Sequence, residues 1–354
     1  MKENISSSPT TKLYVVLITY RRKELLKKCI SSLHAAIQNY PNIESSINVL
    51  VSGPDYESLE ELNKLKSHYE STTIGIEILK TNTDPIIARN IILKKILKID
   101  NNNKTTWVYF IDDDAHVPID HLKEFSGCLK KFPEYSIIGG PNLTPPGSNT
   151  FQEISGVALS SLVGTFTSLN RYKKTGSPRR CDETSLILCN LFVNAKCLKK
   201  TKFKEGLICA EETWLLQELE RQGHKSLYNP NLIVWHERRD TFLSFTKQVY
   251  KYGIGRGQNI RYNLKKTKYF HLIPSIAICL IPLSIQISIT RYLFILYLLS
   301  CWISMLNQIR KMKIKIRSIK SITTYHSIIP LMHISYGIGV VRGLLTPIPK
   351  RETV

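Results

Sequence analysis

Three consecutive carboxylates, Asp112, Asp113 and Asp114, close the apolar run Trp107 to Ile111 in the stretch WVYFIDDDAHVP. Adjacent acids repel, and burying any of them unpaired is costly, so acids delivered by a buried strand call for a cation. A hard divalent metal that also holds phosphate meets that need; a solvated Asp-rich turn is the alternative. A second pair, Glu211-Glu212, opens an amphipathic pattern in which Leu215, Leu216 and Leu219 recur at helical spacing. These acids either perform acid–base chemistry or simply favour a helix N-terminus through its dipole. His236 follows the apolar run Leu232 to Trp235, beside Glu237, Arg238 and Arg239. It is read either as a metal ligand or as a histidine in a polar turn.

Strands must aim these groups, and the chain supplies them in alternation with helices. LYVVLI at 13–18 is a β-branched run ending at Thr19-Tyr20-Arg21-Arg22, after which Leu25, Leu26, Cys29, Ile30 and Leu33 recur at helical spacing. INVLV at 47–51 ends in Ser52-Gly53-Pro54-Asp55 before a second helical pattern, and Ile74 to Leu79 precedes a third, Ile86 to Ile99, which carries Arg89 and Asn90. Trp107 to Ile111 is then the fourth strand. Such alternation predicts an α/β fold: a Rossmann-like, mostly parallel sheet with helices on both faces, and ligands beyond the strands' carboxyl ends. Thr19, Tyr20, Arg21, Ser52, Arg89 and the triple Asp fall at or near those ends. No GxGxxG or P-loop follows the first strand, which argues against a dinucleotide-dependent enzyme or a kinase.

The ordered blocks LYVVLITYRR, NVLVSGP, IIARNIIL, YFIDDDAHVP, IIGGPN, CNLFVNAK, AEETWLLQELERQGHKSLYNPNLIVWHERR and QVYKYGIGRG resemble a family 2 glycosyltransferase with a GT-A fold. The resemblance implies an inverting enzyme that moves a sugar from a UDP- or GDP-linked donor to a hydroxyl acceptor, with Mn2+ or Mg2+ as cofactor. It implies that Asp114 is a direct metal ligand, that Asp112 serves both the ribose and the metal, and that His236 completes the metal shell. Asp113 is read two ways, at the donor or as a solvated acid. Glu212, following Glu211, takes the place of the general base, although the family pattern there is Glu-Asp. Thr19, Tyr20, Arg21, Ser52, Arg89 and Arg256 are expected on the nucleotide-sugar side, and Trp235 and Trp214 on the acceptor side. Arg256 and its glycine neighbours also suit a basic helix on a membrane surface. Family members often carry Asp residues after the second strand, where this chain has Ser52-Gly53. A nucleotidyltransferase would show a Gly- and Arg/Lys-rich loop in place of ITYRR; an inactive membrane scaffold of the same fold is the other alternative.

The 354 residues, 43% hydrophobic and 22% charged, describe a folded protein. Its net charge of +21 is concentrated at the end, since 271–354 holds ten Lys or Arg against Glu352 alone. There the uncharged runs 272–290 and 292–309 point to a membrane surface, not nucleic acid, as the basic chain's partner. They are read as a tight transmembrane hairpin whose basic flanks, Arg261, Lys265, Lys266 and Lys268 before it and Arg310, Lys311, Lys313, Lys315, Arg317 and Lys320 after it, stay cytoplasmic. The organisation expected is a catalytic domain at 1–258, a basic linker at 259–271, the hairpin at 272–309, and a basic loop with a re-entrant or interfacial helix at 310–354. Eight scattered cysteines without CxxC spacing read as buried thiols in a reducing compartment, and the N-terminus lacks a signal-peptide core. The expected setting is the cytoplasmic side of the cell membrane, with a lipid-linked or cell-surface glycan acceptor.

Overall fold

A computed structural model describes residues 11–99, 105–264, 268–312 and 319–347. Lys265, Lys266, Lys313, Lys315 and Arg317 of the basic flanks lie outside the described residues, as do the side chains of Lys311 and Lys320. Two compact units form: Met1–Asn142 with Lys174–Phe203 and Glu218–His236, and Leu143–Lys173 with Lys204–Gln217 and Glu237–Val354. Residues 143–173 and 204–217 thus group with the C-terminal region, whereas the sequence expectation joins everything up to 258.

The strands in chain order are β1 (Lys12–Thr19), β2 (Glu44–Ser52), β3 (Thr73–Leu79), β4 (Thr106–Phe110), β5 (Ala115–His116), β6 (Ile137–Gly139), β7 (Asn142–Leu143), β8 (Arg179–Cys181), β9 (Leu191–Asn194), β10 (Ser226–Tyr228) and β11 (Val234–His236). The main sheet of the first unit runs β3-β2-β1-β4-β9-β6-β10-β8. It is parallel from β3 through β4, as the alternation predicts, and β9 runs antiparallel to both β4 and β6.

Both faces of this sheet are covered. Leu13, Val15 and Leu17 of β1, Ile47, Val49 and Val51 of β2, and Trp107, Tyr109 and Ile111 share one core with Leu26, Ile30, Leu62, Leu65, Leu122 and Phe125 from three helices. The intervening Tyr14, Val16, Leu50, Val108 and Phe110 are buried too, yet lie outside that core. The helix Pro85–Ile99, which packs on β1 and β2, buries Ile86, Ile92, Leu93 and Ile96. Side chains alternate across a strand, so burial of both phases requires cover on both faces and produces the continuous apolar runs seen in the sequence. Each fully buried Leu, Ile or Phe contributes on the order of 2 kcal/mol.

The second unit is largely helical. The helix Phe242–Tyr262 starts at a capping box in which Thr241 and Ser244 bond reciprocally, and it runs along the helix Ile319–Leu345. Glycines permit the contact: a Cβ on Gly253 would lie 2.2 Å from the Tyr336 carbonyl oxygen, one on Gly257 2.2 Å from that of Val340, and one on Gly343 2.1 Å from that of Ile254. These glycines admit a second helix, so the QVYKYGIGRG segment is packed within the unit and is not a free amphipathic helix on a surface.

The C-terminal region departs from the expected hairpin. Residues 272–290 are not one helix: Ile273–Leu280 ends before Pro282, a short turn Leu283–Gln286 follows, and Ile287 is extended. Pro282 has no N–H for the helical ladder, and eight residues reach only about 12 Å against a hydrocarbon core of roughly 30 Å. Among the described residues two helices are long and apolar enough to cross a membrane, Ser288–Arg310 and Thr323–Leu345. The second lies in the segment that the sequence makes look too polar to span. Polar groups at His333 and Gly337 are bonded to neighbours: His333 Nδ1 meets Tyr297 Oη at 2.8 Å, its Nε2 meets the Gly164 carbonyl at 2.9 Å, and Ser275 Oγ donates to the Gly337 carbonyl at 3.0 Å.

Candidate active site

Strand register assembles a carboxylate cluster in the first unit. β1 and β4 are parallel neighbours, so Thr19 at the end of one reaches the acids that follow the other. The Thr19 hydroxyl donates to Asp113 Oδ2 at 2.9 Å. Asp113 is 4% exposed, so it is a buried acid and not the solvated one of the second sequence reading. Arg22 Nη1 donates to Asp113 Oδ1 and to Asp114 Oδ2, each at 2.9 Å, and Arg89 Nη2 reaches Asp112 Oδ1 at 3.3 Å. Burial and then the charge of Asp114 push the Asp113 carboxyl up to about 6, against the opposing pull of Arg22 and the Thr19 hydroxyl. Asp112 is the most open of the three, with 35% of its side chain exposed.

His236 enters through a second pairing. β11 runs antiparallel to β5 with His236 opposite Ala115, the residue after the triple Asp. His236 Nε2 therefore lies 3.0 Å from Asp114 Oδ1 and 4.0 Å from Asp112 Oδ2. Trp235 pairs with His116, and their rings stack at 5.3 Å. β9 brings one more group: its first residue, Leu191, pairs with Phe110, and the one-turn helix Leu188–Asn190 just before it carries Cys189. One ligating atom each from Asp112, Cys189 and His236 lie within 4.8 Å of one another. Carboxylate, imidazole and thiol donors, with Asp114 against the same imidazole, fit a divalent first-row cation. His236 Nδ1 is buried without a partner among the described residues.

Tyr20, Arg21 and Ser52 take other positions. Arg21 has φ 54° and lays its guanidinium 5.0 Å from the centroid of the Tyr20 ring. Its backbone N–H donates to Asp55, a buried carboxylate that also accepts from Ser58 N. Ser52 accepts the Thr83 N–H at 2.9 Å and donates to the Thr83 carbonyl, tying down the loop after β3. Of the arginines after β1 it is Arg22, not Arg21, that reaches the triple Asp, and sequence reasoning passed it over, as it did Cys189 and Asp55.

Glu211, Glu212, Trp214 and Arg256 belong to the second unit. Ala210, at φ 61°, turns the chain into the helix Glu211–Arg221. That turn is held by Asn259 Nδ2, which donates to the Ala210 carbonyl at 3.1 Å, and by Gln258 Oε1, which accepts the Ile208 N–H at 2.9 Å. Arg171 Nη1 donates to Glu212 Oε1 at 3.0 Å, and both side chains are 10% exposed. Trp214 lies under Lys204, with 5.5 Å from the ammonium to the ring centroid. Arg256 is buried near Tyr336, whose hydroxyl lies 3.2 Å from His271 Nδ1. Burial, with the positive charges of Arg256 and Arg171, holds the His271 imidazole far below its usual range, hence neutral.

A mixed sheet with carboxylates at its strand ends, and a histidine brought beside them by a second, smaller sheet, fits a GT-A fold, and solved structures agree. The chain is similar to the mannosyltransferase PcManGT from Pyrobaculum calidifontis in complex with GDP-Man and Mn2+, at 11% identity and TM-score 0.59, covering 96% of this chain and 88% of that one. It is also similar to TarS of S. aureus, at 12% identity and TM-score 0.50, covering 73% of this chain and 40% of that one. A comparison with curated protein sequences finds no match. The sequence matches "Glycosyl transferase family 2" over residues 14–193 and "Glycosyl transferase family group 2" over residues 107–309. The chain belongs to glycosyl transferase family 2.

Proposed function

We propose that this glycosyltransferase is an inverting, metal-dependent enzyme that moves a hexose from a UDP- or GDP-linked donor to a hydroxyl of a lipid-linked or cell-surface glycan. The observation that carries the reading is the juxtaposition of Asp114, Asp112 and His236, with 3.0 Å between the imidazole and the Asp114 carboxylate. These three residues would hold Mn2+ or Mg2+. Such a cation offsets the negative charge that develops on the departing nucleoside diphosphate. Thr19, Arg22 and Arg89 fix the three carboxylates, so the site is organised before a donor arrives. Tyr20, Arg21, Ser52, Asp113 and Arg256 serve the nucleotide side, and Trp235 and Trp214 the acceptor.

Glu212, with Glu211 beside it, takes the proton from the acceptor hydroxyl. Oxygen then attacks the anomeric carbon as the bond to the diphosphate breaks, in one displacement that inverts the configuration. The Arg171 bond and the pinned 208–210 turn support that role, because a base must be held still to work. The helices Ser288–Arg310 and Thr323–Leu345, of mean hydropathy 1.6 and 1.5, would attach the enzyme to the cytoplasmic side of the cell membrane. Incubating membranes with labelled nucleotide sugars identifies the donor. Glu212→Gln should then lower transfer by about 100-fold or more while the fold and metal-dependent nucleotide binding persist. Near-normal transfer by that variant would remove Glu212 from the mechanism.

A further inference from the structure

Cys189 is a buried thiol that the proposed reaction does not use. It lies in the middle of the one-turn helix Leu188–Asn190 that leads into β9, with 1% of its surface exposed. A buried cysteine is ordinarily inert packing. Three observations set this one apart. The one-turn helix that holds it leads directly into β9, the antiparallel neighbour of the strand that delivers the triple Asp. Its sulfur lies within 4.8 Å of ligating atoms on both Asp112 and His236. The buried Asn142 donates its side-chain N–H to that sulfur at 3.3 Å, the kind of outer hydrogen bond that orients a ligand and stabilises negative charge on it.

We propose that Cys189 is a metal ligand, so that the site takes a thiophilic divalent cation in preference to Mg2+. The inference rests on the metal-site reading above and refines it by naming the class of ion. On coordination the thiol proton passes to solvent and a sulfur–metal bond forms, with no change in oxidation state. Thiolate ligands select softer ions, while Mg2+ is held by oxygen donors at near-octahedral geometry. A site of two carboxylates, one imidazole and one thiolate therefore ranks Cd2+, Zn2+, Co2+ and Mn2+ above Mg2+.

Cobalt titration of the full-length protein in detergent tests this, because visible ligand-field bands report occupancy and a near-ultraviolet sulfur-to-cobalt charge-transfer band reports the thiolate. The expected result is both sets of bands, with only the charge-transfer band lost in Cys189→Ser and in Cys189→Ala. In the same variants Cd2+ affinity should fall at least about tenfold, while Mg2+ affinity changes by less than about threefold. Ligand-field bands without charge transfer in the wild type would overturn the role of Cys189 and leave the metal site standing. Cobalt binding that survives unchanged in Asp114→Asn and in His236→Ala would overturn the metal site itself.

Discussion

His236 Nε2 stands 3.0 Å from Asp114 Oδ1 because β11 pairs with β5, whose first residue directly follows the triple Asp. That strand pairing thus sets the spacing of the two side chains. His236→Ala should weaken Mn2+ binding by at least about tenfold, read from the free-ion signal in electron paramagnetic resonance. His236→Gln, which keeps a polar donor of similar reach, should recover part of that loss.

Asp113 gives the metal-free protein a pH signature. Its folded carboxyl titrates at about 6, above the ordinary 3.8, so the native state binds the proton more tightly than the unfolded chain. The associated stability is fully present below the unfolded value and is lost as pH rises through about 6, by up to about 3 kcal/mol. Denaturant unfolding in chelator between these limits should show falling stability with rising pH, and Asp113→Asn should flatten that slope.

Arg22 bridges Asp113 and Asp114 with a single nitrogen, so its loss leaves adjacent acids without that cation. Its side chain is 37% exposed, which limits the cost of Arg22→Gln to about 1–2 kcal/mol. Added Mn2+ should restore much of that loss, and differential scanning calorimetry with and without the ion measures both effects.

Glu212 and Arg171 form a buried ion pair, so removing either partner takes a close opposite charge from the other. Arg171→Met and Glu212→Gln should each destabilise the protein by about 3 kcal/mol, while the double variant loses less than their sum. A denaturation double-mutant cycle yields the coupling directly, and an additive result would show that the pair is not energetically linked.

Gly257 faces the backbone of the helix Ile319–Leu345 so closely that a Cβ would lie 2.2 Å from the Val340 carbonyl oxygen. Gly257→Ala should therefore cost about 1–3 kcal/mol through forced separation of the two helices. Gly147, where a Cβ meets nothing within 4 Å but φ is +79°, is a useful contrast, since substitution there strains only the turn.

The legible parts were those written in local pattern. Continuous apolar runs and helical spacing marked β1 to β4 and the helices between them, and strand ends pointed to Thr19, the triple Asp and His236. Register was not legible, because whether Arg21 or Arg22 faces the acids depends on a turn in which Arg21 adopts a positive φ. Cys189 reaches Asp112 only because β9 inserts antiparallel beside β4, a topology that no local spacing encodes. The first hairpin leg misled for a related reason: 272–290 is apolar throughout, but Pro282 interrupts it. Polar residues in 321–341 made the expected re-entrant or interfacial helix look too polar to cross because their partners, Tyr297 and Gly164, are distant in sequence.

Metal-dependent donor binding is most directly tested by isothermal titration of UDP and GDP into the full-length protein, with Mn2+ and with chelator, for the wild type and Asp114→Asn. The predicted result is that one nucleotide binds with Mn2+, at least about tenfold more weakly without it, and that Asp114→Asn removes the difference. Equal affinity with and without the ion, or no binding of either nucleotide in its presence, would contradict it.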